Sequence, residues 1–543
     1  MARVETSPLM EVEHAGNGPR GANSLNTRSV TSNLAFNVGG EFVVICLGAV
    51  CIPYVVRSLG TDSFGLLSLA WVLLTYMNMF DLGLSRATTK YAAEAIGRGD
   101  HHQLPSLLVT SLVPQLAMGL LGGSLLFLLS PWVVEKLLKI PGPLVGEAVK
   151  GFKILAIAVP ILLVTNCLRG MLEALQRFDL INYVKVPSNA SIFLSPLVLV
   201  PFGGRLPSII LTMTLFRCAA MFVYLRLCMS LLPKPGRRAN VERGLLTQLL
   251  RYGGWVTISN VTGPILIYLD RFLIGVLVSI GAVAYYTAPA DMVNRALVVP
   301  ASLCSILFPA FSSLSAAGER EKLEDLYARS VKYLIMAFGP VSLLIAAFAR
   351  DILVFWLGSA FAEKSTPVLQ ILALGVFVNS LSFFPYSLLQ GVGKPNLTGA
   401  FHLIEIPVHF ALVWVLVRRL GIVGGAVAST ARVLVDCLLL FGACSWLKLT
   451  SWQTLREKKV FESCLGVLAL GAALWVSCAP GLALLTRVGI AVGFLMCYVT
   501  AQWRWACDLL DRQFVREKSK ELLKRFRRRG LLQESESPSV PGQ

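Results

Sequence analysis

Residues 173–180 read EALQRFDL and residues 390–397 read QGVGKPNL, two short polar turns that each separate a pair of long apolar runs. The second turn lies 217 residues after the first. Another pair, LGTDSFGLLS at 59–68 and VSIGAVAYYT at 278–287, repeats at an offset of 219. Two recurrences at nearly one offset point to a duplicated unit of six apolar runs.

Working outward from these turns, apolar runs fall at 31–55, 63–80, 106–129, 152–171, 181–202, 208–230, 252–279, 283–310, 328–349, 366–390, 397–417, 422–446, 460–479 and 483–503. Each is about 20 residues, enough to cross a hydrocarbon core of ~30 Å as a helix. The 543 residues are 55% hydrophobic and only 15% charged, with a mean hydropathy of +0.67. A soluble chain carries about 25% charged residues. A water-soluble enzyme, a disordered protein and a fibrous protein are thereby excluded. The expected fold is an all-α polytopic membrane protein of about fourteen transmembrane helices. Its expected parts are a leader (1–30), a six-helix half (31–232), a linker (233–251), a second six-helix half (252–447), two appended helices (448–503) and a basic tail (504–543). Pro160, Pro196, Pro264, Pro300 and Pro340 are expected to interrupt some helices, which a membrane tolerates where the freed carbonyls face protein or a watery cavity.

The net charge is +18. With the N-terminus inside, roughly two thirds of the 49 Lys and Arg fall in cytoplasmic segments, so both termini are expected in the cytoplasm. The polar leader lacks the short apolar region of a cleaved signal peptide. The dense basic run from Arg512 to Arg529 reads as an anchor for anionic lipid head-groups rather than a nucleic-acid site. The stretch Asp81–Asp100 is expected to form a short amphipathic helix on the cytoplasmic surface, binding the same lipids, with a plain solvated loop as the alternative. Twelve cysteines, among them Cys46, Cys51, Cys218, Cys437 and Cys444, sit mostly inside apolar runs with no CxxC or Cys/His ligand spacing. They read as packing residues, neither zinc ligands nor a disulfide framework.

No enzymatic motif is present. Gly391-Val392-Gly393-Lys394-Pro395 lacks the upstream Gly and the following Ser or Thr of a phosphate loop, and no cofactor or metal is expected. The informative residues are ionisable groups inside the spans, each costing about 3 kcal/mol at mid-helix. Glu41, Lys185, Arg217, Asp270 and Arg271 are of this kind. Asp291 with Arg295, and Arg432 with Asp436, stand four residues apart. Such pairs either neutralise each other locally or line an aqueous cavity with surplus positive charge. Lys185 and Arg217 have no opposite charge one turn away and favour the cavity. Arginine's planar fork suits phosphate oxygens. His402, Glu405 and His409 form one stripe of the eleventh span, able to relay protons or to hydrogen-bond neighbouring helices structurally.

The stretch SLGTDSFGL (58–66), followed by DLGLSRAT (81–88), resembles the opening of Wzx-type polysaccharide flippases, a branch of the multidrug/oligosaccharidyl-lipid/polysaccharide exporter superfamily. YLDRFLIG (268–275) with YYTAP (285–289) is similar to the start of that family's second half. The resemblance covers about residues 30–510. It implies two six-helix halves around a V-shaped cavity, and alternating access in a bacterial inner membrane. The cargo would be a polyprenyl-pyrophosphate-linked glycan for surface polysaccharide, moved from the cytoplasmic to the periplasmic leaflet. A polysaccharide polymerase and chain-length machinery would be partners, and a monomer the simplest unit. In that picture Lys185, Arg217, Arg271, Arg295 and Arg432 bind the pyrophosphate and sugars. Glu41, Asp270, Asp291, His402, Glu405, His409 and Asp436 serve as cavity acids or ion-coupling groups. A peptidoglycan-precursor flippase and a cation-coupled multidrug exporter of the same fold stand as alternatives, the latter wanting an acidic cavity.

Overall fold

The computed structural model describes residues 77–137, 142–233, 241–477 and 483–508, with isolated positions between Gly39 and Leu73, and Arg512. The leader, most of the first two spans with Glu41 and Cys46, the turn at 59–65, linker residues 234–240 and most of the basic tail lie outside the described residues.

Within them every regular element is helical. In chain order these are α1 (Leu84–Gly97), α2 (Leu104–Trp132), α3 (Gly142–Ala174), α4 (Phe178–Leu199), α5 (Leu206–Leu231), α6 (Arg243–Leu277), α7 (Ile280–Asn294), α8 (Val298–Ala316), α9 (Arg320–Ala347) and α10 (Ala349–Leu357). There follow α11 (Ser359–Gly391), α12 (Pro395–Leu420), α13 (Ile422–Trp446), α14 (Trp452–Glu457), α15 (Val460–Ser477) and α16 (Leu484–Ala501). Among the described residues eleven helices are long and apolar enough to cross a membrane, α7 and α8 counting as one, and α15 contains a shorter apolar helix. They match, one for one, the twelve later runs of the sequence. Large side chains such as Leu128, Phe222 and Trp475 are exposed on the outside of the bundle, as lipid rather than water requires.

The duplication extends to the helix bounds. Both ends of α11 equal those of α3 plus 217, and α12 begins 217 residues after α4. The short 3₁₀ turn Asn78–Asp81 has its counterpart in Arg295–Leu297, again 217 residues on at its start. Pro300 sits in the first turn of α8, where its missing N–H leaves no bond unmade, so the break there is the 3₁₀ turn just before it. Each repeat packs mainly on itself: α3 on α2 and α5, and α11 on α9 and α13. The largest apolar core holds residues of the second half and the appended helices alone, from Leu273 to Tyr498.

The halves meet at one end of the bundle, through α1. This corrects the expectation of a lipid-binding surface helix. Leu84, Ala87, Thr88, Thr89, Lys90, Ala92, Ala93 and Ala95 are buried, with α1 packed against α3, α6 and α8. Its small residues let neighbouring backbones approach closely. Thr88 donates to the Leu84 carbonyl at 2.8 Å, Thr89 to that of Ser85 at 3.1 Å, and Lys90 pairs with Glu94 at 2.8 Å. The helix therefore satisfies its own polar groups and tolerates burial.

Candidate functional site

The stripe of α12 turns inward. Asp270 of α6, 1% exposed, accepts a 2.7 Å hydrogen bond at Oδ2 from the Tyr286 hydroxyl of α7. Its Oδ1 stands 2.7 Å from Nε2 of His409 on α12. One turn along α12, Glu405 accepts from Arg432 of α13 at 3.2 Å, and Asp436 of the same helix faces Glu405 and Ser382. His402 stacks on the Tyr386 ring of α11, with centroids 5.8 Å apart. Five helices thus contribute to one internal polar system in which two carboxylates, Glu405 and Asp436, share a guanidinium.

The intrahelical pairs expected from spacing do not form. Asp291 instead accepts from Arg271 across the α6–α7 packing at 2.5 Å. The 3₁₀ turn beginning at Arg295 takes three residues per turn, which rotates Arg295 out of register with Asp291. Arg432 likewise reaches Glu405 on the neighbouring helix rather than Asp436 on its own. Arg295 is exposed and has no ion-pair partner among the described residues. With Asp291, Thr287, Met292, Phe355 and Trp356 it lines an open cleft of about 790 Å³.

Lys185 on α4 and Arg217 on α5, both partly buried, stand in the first half. Their helices pack on α3 and on each other, so the structure does not join them to the α12 system. Arg217 has no ion-pair partner among the described residues. Glu41 lies outside them. The spacing analysis missed two participants. Tyr286, in the YYTAP stretch, is neutral and so escaped a search for charge. Asp81, in DLGLS, accepts from Gln115 at 2.6 Å and from the Ser85 hydroxyl. Its carboxylate closes the helix break at Leu82 and Gly83, both in the left-handed region.

Residues 30–315 match the family described as polysaccharide biosynthesis protein. A Shigella flexneri protein named as an O-antigen transporter is 26% identical over 435 residues, covering 80% of this chain and all of its own length. A Haloferax volcanii protein named as a low-salt glycan biosynthesis flippase is 25% identical over 191 residues, or 35% of this chain and 40% of that one. Among solved structures, a MATE transporter of Vibrio cholerae superposes with a TM-score of 0.69 at 14% identity, covering 79% of this chain and 99% of that one. The last likeness speaks to fold alone.

Proposed function

The chain belongs to the polysaccharide biosynthesis protein family, as a multi-pass membrane transporter of the Wzx-type flippase kind, and on that premise we propose that it transfers lipid-linked oligosaccharides between membrane leaflets by alternating access. The cargo is a polyprenyl-pyrophosphate glycan, carried from the cytoplasmic to the periplasmic leaflet of a bacterial inner membrane, with both termini in the cytoplasm. Its head-group crosses between the two halves while the isoprenoid tail stays in lipid.

The observation that carries this reading is how the intramembrane arginines are satisfied. Arg217 and Arg295 have no carboxylate among the described residues, whereas Arg271 and Arg432 each hold one contributed by a neighbouring helix. An arriving pyrophosphate supplies oxygens to the first two, and can replace the carboxylate on the others, because a guanidinium binds either fork equally well in geometry. A carboxylate so displaced takes up a proton rather than stay charged in a poor solvent. Glu405, Asp436, His402, Asp270 and His409 are the groups that would exchange protons with the cargo.

The test is flipping of a purified polyprenyl-pyrophosphate oligosaccharide in proteoliposomes, with protein-free vesicles as the control. Transfer at the control rate would refute the reading. The buried carboxylates Asp270, Glu405 and Asp436 favour a second reading, cation-coupled drug export. Proton-driven uptake of a lipophilic cation such as tetraphenylphosphonium, with no glycolipid transfer, would select it.

A further inference from the structure

We propose that Arg86 of the first half, with Ser259, Tyr386 and Gln390 of the second, forms a binding subsite for a sugar phosphate at the junction of the halves. The proposal rests on the glycolipid reading above and adds a place where the head-group is held. Arg86 lies on α1, at the end of the bundle where the halves touch. Its guanidinium stacks over the Phe308 ring of α8 at 4.5 Å, and no carboxylate pairs with it among the described residues. A buried cation held by an aromatic face keeps its in-plane N–H groups free for an anion.

The facing wall is polar and unsatisfied. Arg86 is within electrostatic reach of Tyr252, Cys304 and Tyr386. Ser259 and Gln390 stand beside the Tyr386 side chain, and Ser387 stands beside Cys304. The hydroxyls of Ser259 and Ser387 and both amide atoms of Gln390 are buried without a hydrogen-bond partner among the described residues, although these three residues are only 4%, 1% and 1% exposed. Buried polar atoms are almost always paired, so a cluster of orphans around a free guanidinium calls for a polar occupant. Guanidinium for phosphate, amide and hydroxyl for sugar hydroxyls, and an aromatic ring for the sugar face together match a phosphosugar. Because its members come from both halves, the subsite assembles when this end closes and comes apart when it opens.

The experiment measures binding of glucose 1-phosphate, inorganic pyrophosphate and glucose to the purified full chain in nanodiscs by calorimetry, with glycolipid flipping measured in parallel. The wild type should bind glucose 1-phosphate more tightly than either fragment. Arg86→Gln should weaken that binding about tenfold or more, since it removes a charge-assisted bond. Arg86→Lys, which keeps charge and stacking, should lie between. Gln390→Leu should weaken glucose 1-phosphate and spare pyrophosphate. Unchanged affinity in folded Arg86→Gln, or equal loss of both probes in Gln390→Leu, would overturn the subsite. Those results with intact wild-type flipping leave the transport reading standing. Binding as expected with no flipping by the wild type would sink the transport reading and keep the subsite.

Discussion

A guanidinium in a membrane helix is tolerated when something answers its charge, and this chain answers its arginines in two ways. Arg432 has Glu405 at 3.2 Å and Arg271 has Asp291 at 2.5 Å; Arg217 has neither among the described residues. Spacing exposed all of these residues because charge in an apolar run is conspicuous. It could not expose their partners, because sequence distance reports neighbours on one helix and these pairs bridge two. The distinction separates two predictions. Arg217→Gln should abolish glycolipid flipping while membrane insertion and thermal unfolding stay close to wild type, since no carboxylate is left behind. Arg217→Lys should recover only part of the rate, because an ammonium lacks the planar fork. Full activity of Arg217→Gln in proteoliposomes removes that residue from the cargo path. Glu405→Gln behaves differently. It leaves Arg432 with a neutral acceptor and should lower stability by about 1–3 kcal/mol, the cost of depriving a buried charged group of its partner. It should also blunt the response of flipping to an imposed pH gradient. An unchanged response would mean that the α12 stripe is structural and that protons enter elsewhere.

Among the helices, the long apolar ones were plain in the sequence and α1 was not. Periodic charge in Ser85, Arg86, Lys90, Arg98 suggested a helix lying on lipid, but the alternation of Ala, Thr and Gly encodes close packing, and a surface stripe and a packed seam share that pattern. The seam has little room. A Cβ on Gly97 would stand 2.2 Å from the Ser313 carbonyl oxygen of α8, and one on Gly83 would stand 2.5 Å from that of Gly253 on α6. Across it Tyr91 reaches the Gln248 carbonyl at 3.5 Å and Gln176 that of Ile306 at 3.3 Å. No ion pair bridges the halves there among the described residues, which suits a joint that must part. Gly97→Ala meets backbone that cannot yield, so it should weaken this closed arrangement by about 1–3 kcal/mol and bias the protein toward opening at this end. Hydrogen–deuterium exchange should then rise in α1 and in residues 306–316. Gly254→Ala, whose Cβ would meet nothing within 4 Å, should leave exchange unaltered. Equal exchange in both variants would show that the seam is not a working joint.

At the scale of the whole molecule, the duplication was legible from four short turns because each half repeats its breaks at one offset, whereas the balance of charge between the halves was not. The sequence offered five membrane cations as a positive cavity. The structure leaves Arg217 and Arg295 without carboxylates and neutralises Arg271 and Arg432, so the empty carrier holds less surplus charge than a count of residues suggests. This bears on the driving force. A pyrophosphate head-group carries about two negative charges, and moving them outward through an inside-negative potential is worth about 4.6 kcal/mol per 100 mV. The loaded step should therefore respond to voltage more strongly than the return of the nearly neutral carrier. Inside-negative potential should accelerate outward flipping with no pH or sodium gradient, and at saturating glycolipid the gain should level off once return becomes limiting. Vesicles clamped with valinomycin and potassium, at equal pH and sodium on both sides, give the measurement. A rate that keeps rising with voltage at saturation would mean that the returning carrier is itself strongly charged. A rate indifferent to reversal of the potential would mean that protons taken up by Glu405, Asp436 and the histidines cancel the cargo's charge, making the exchange electroneutral.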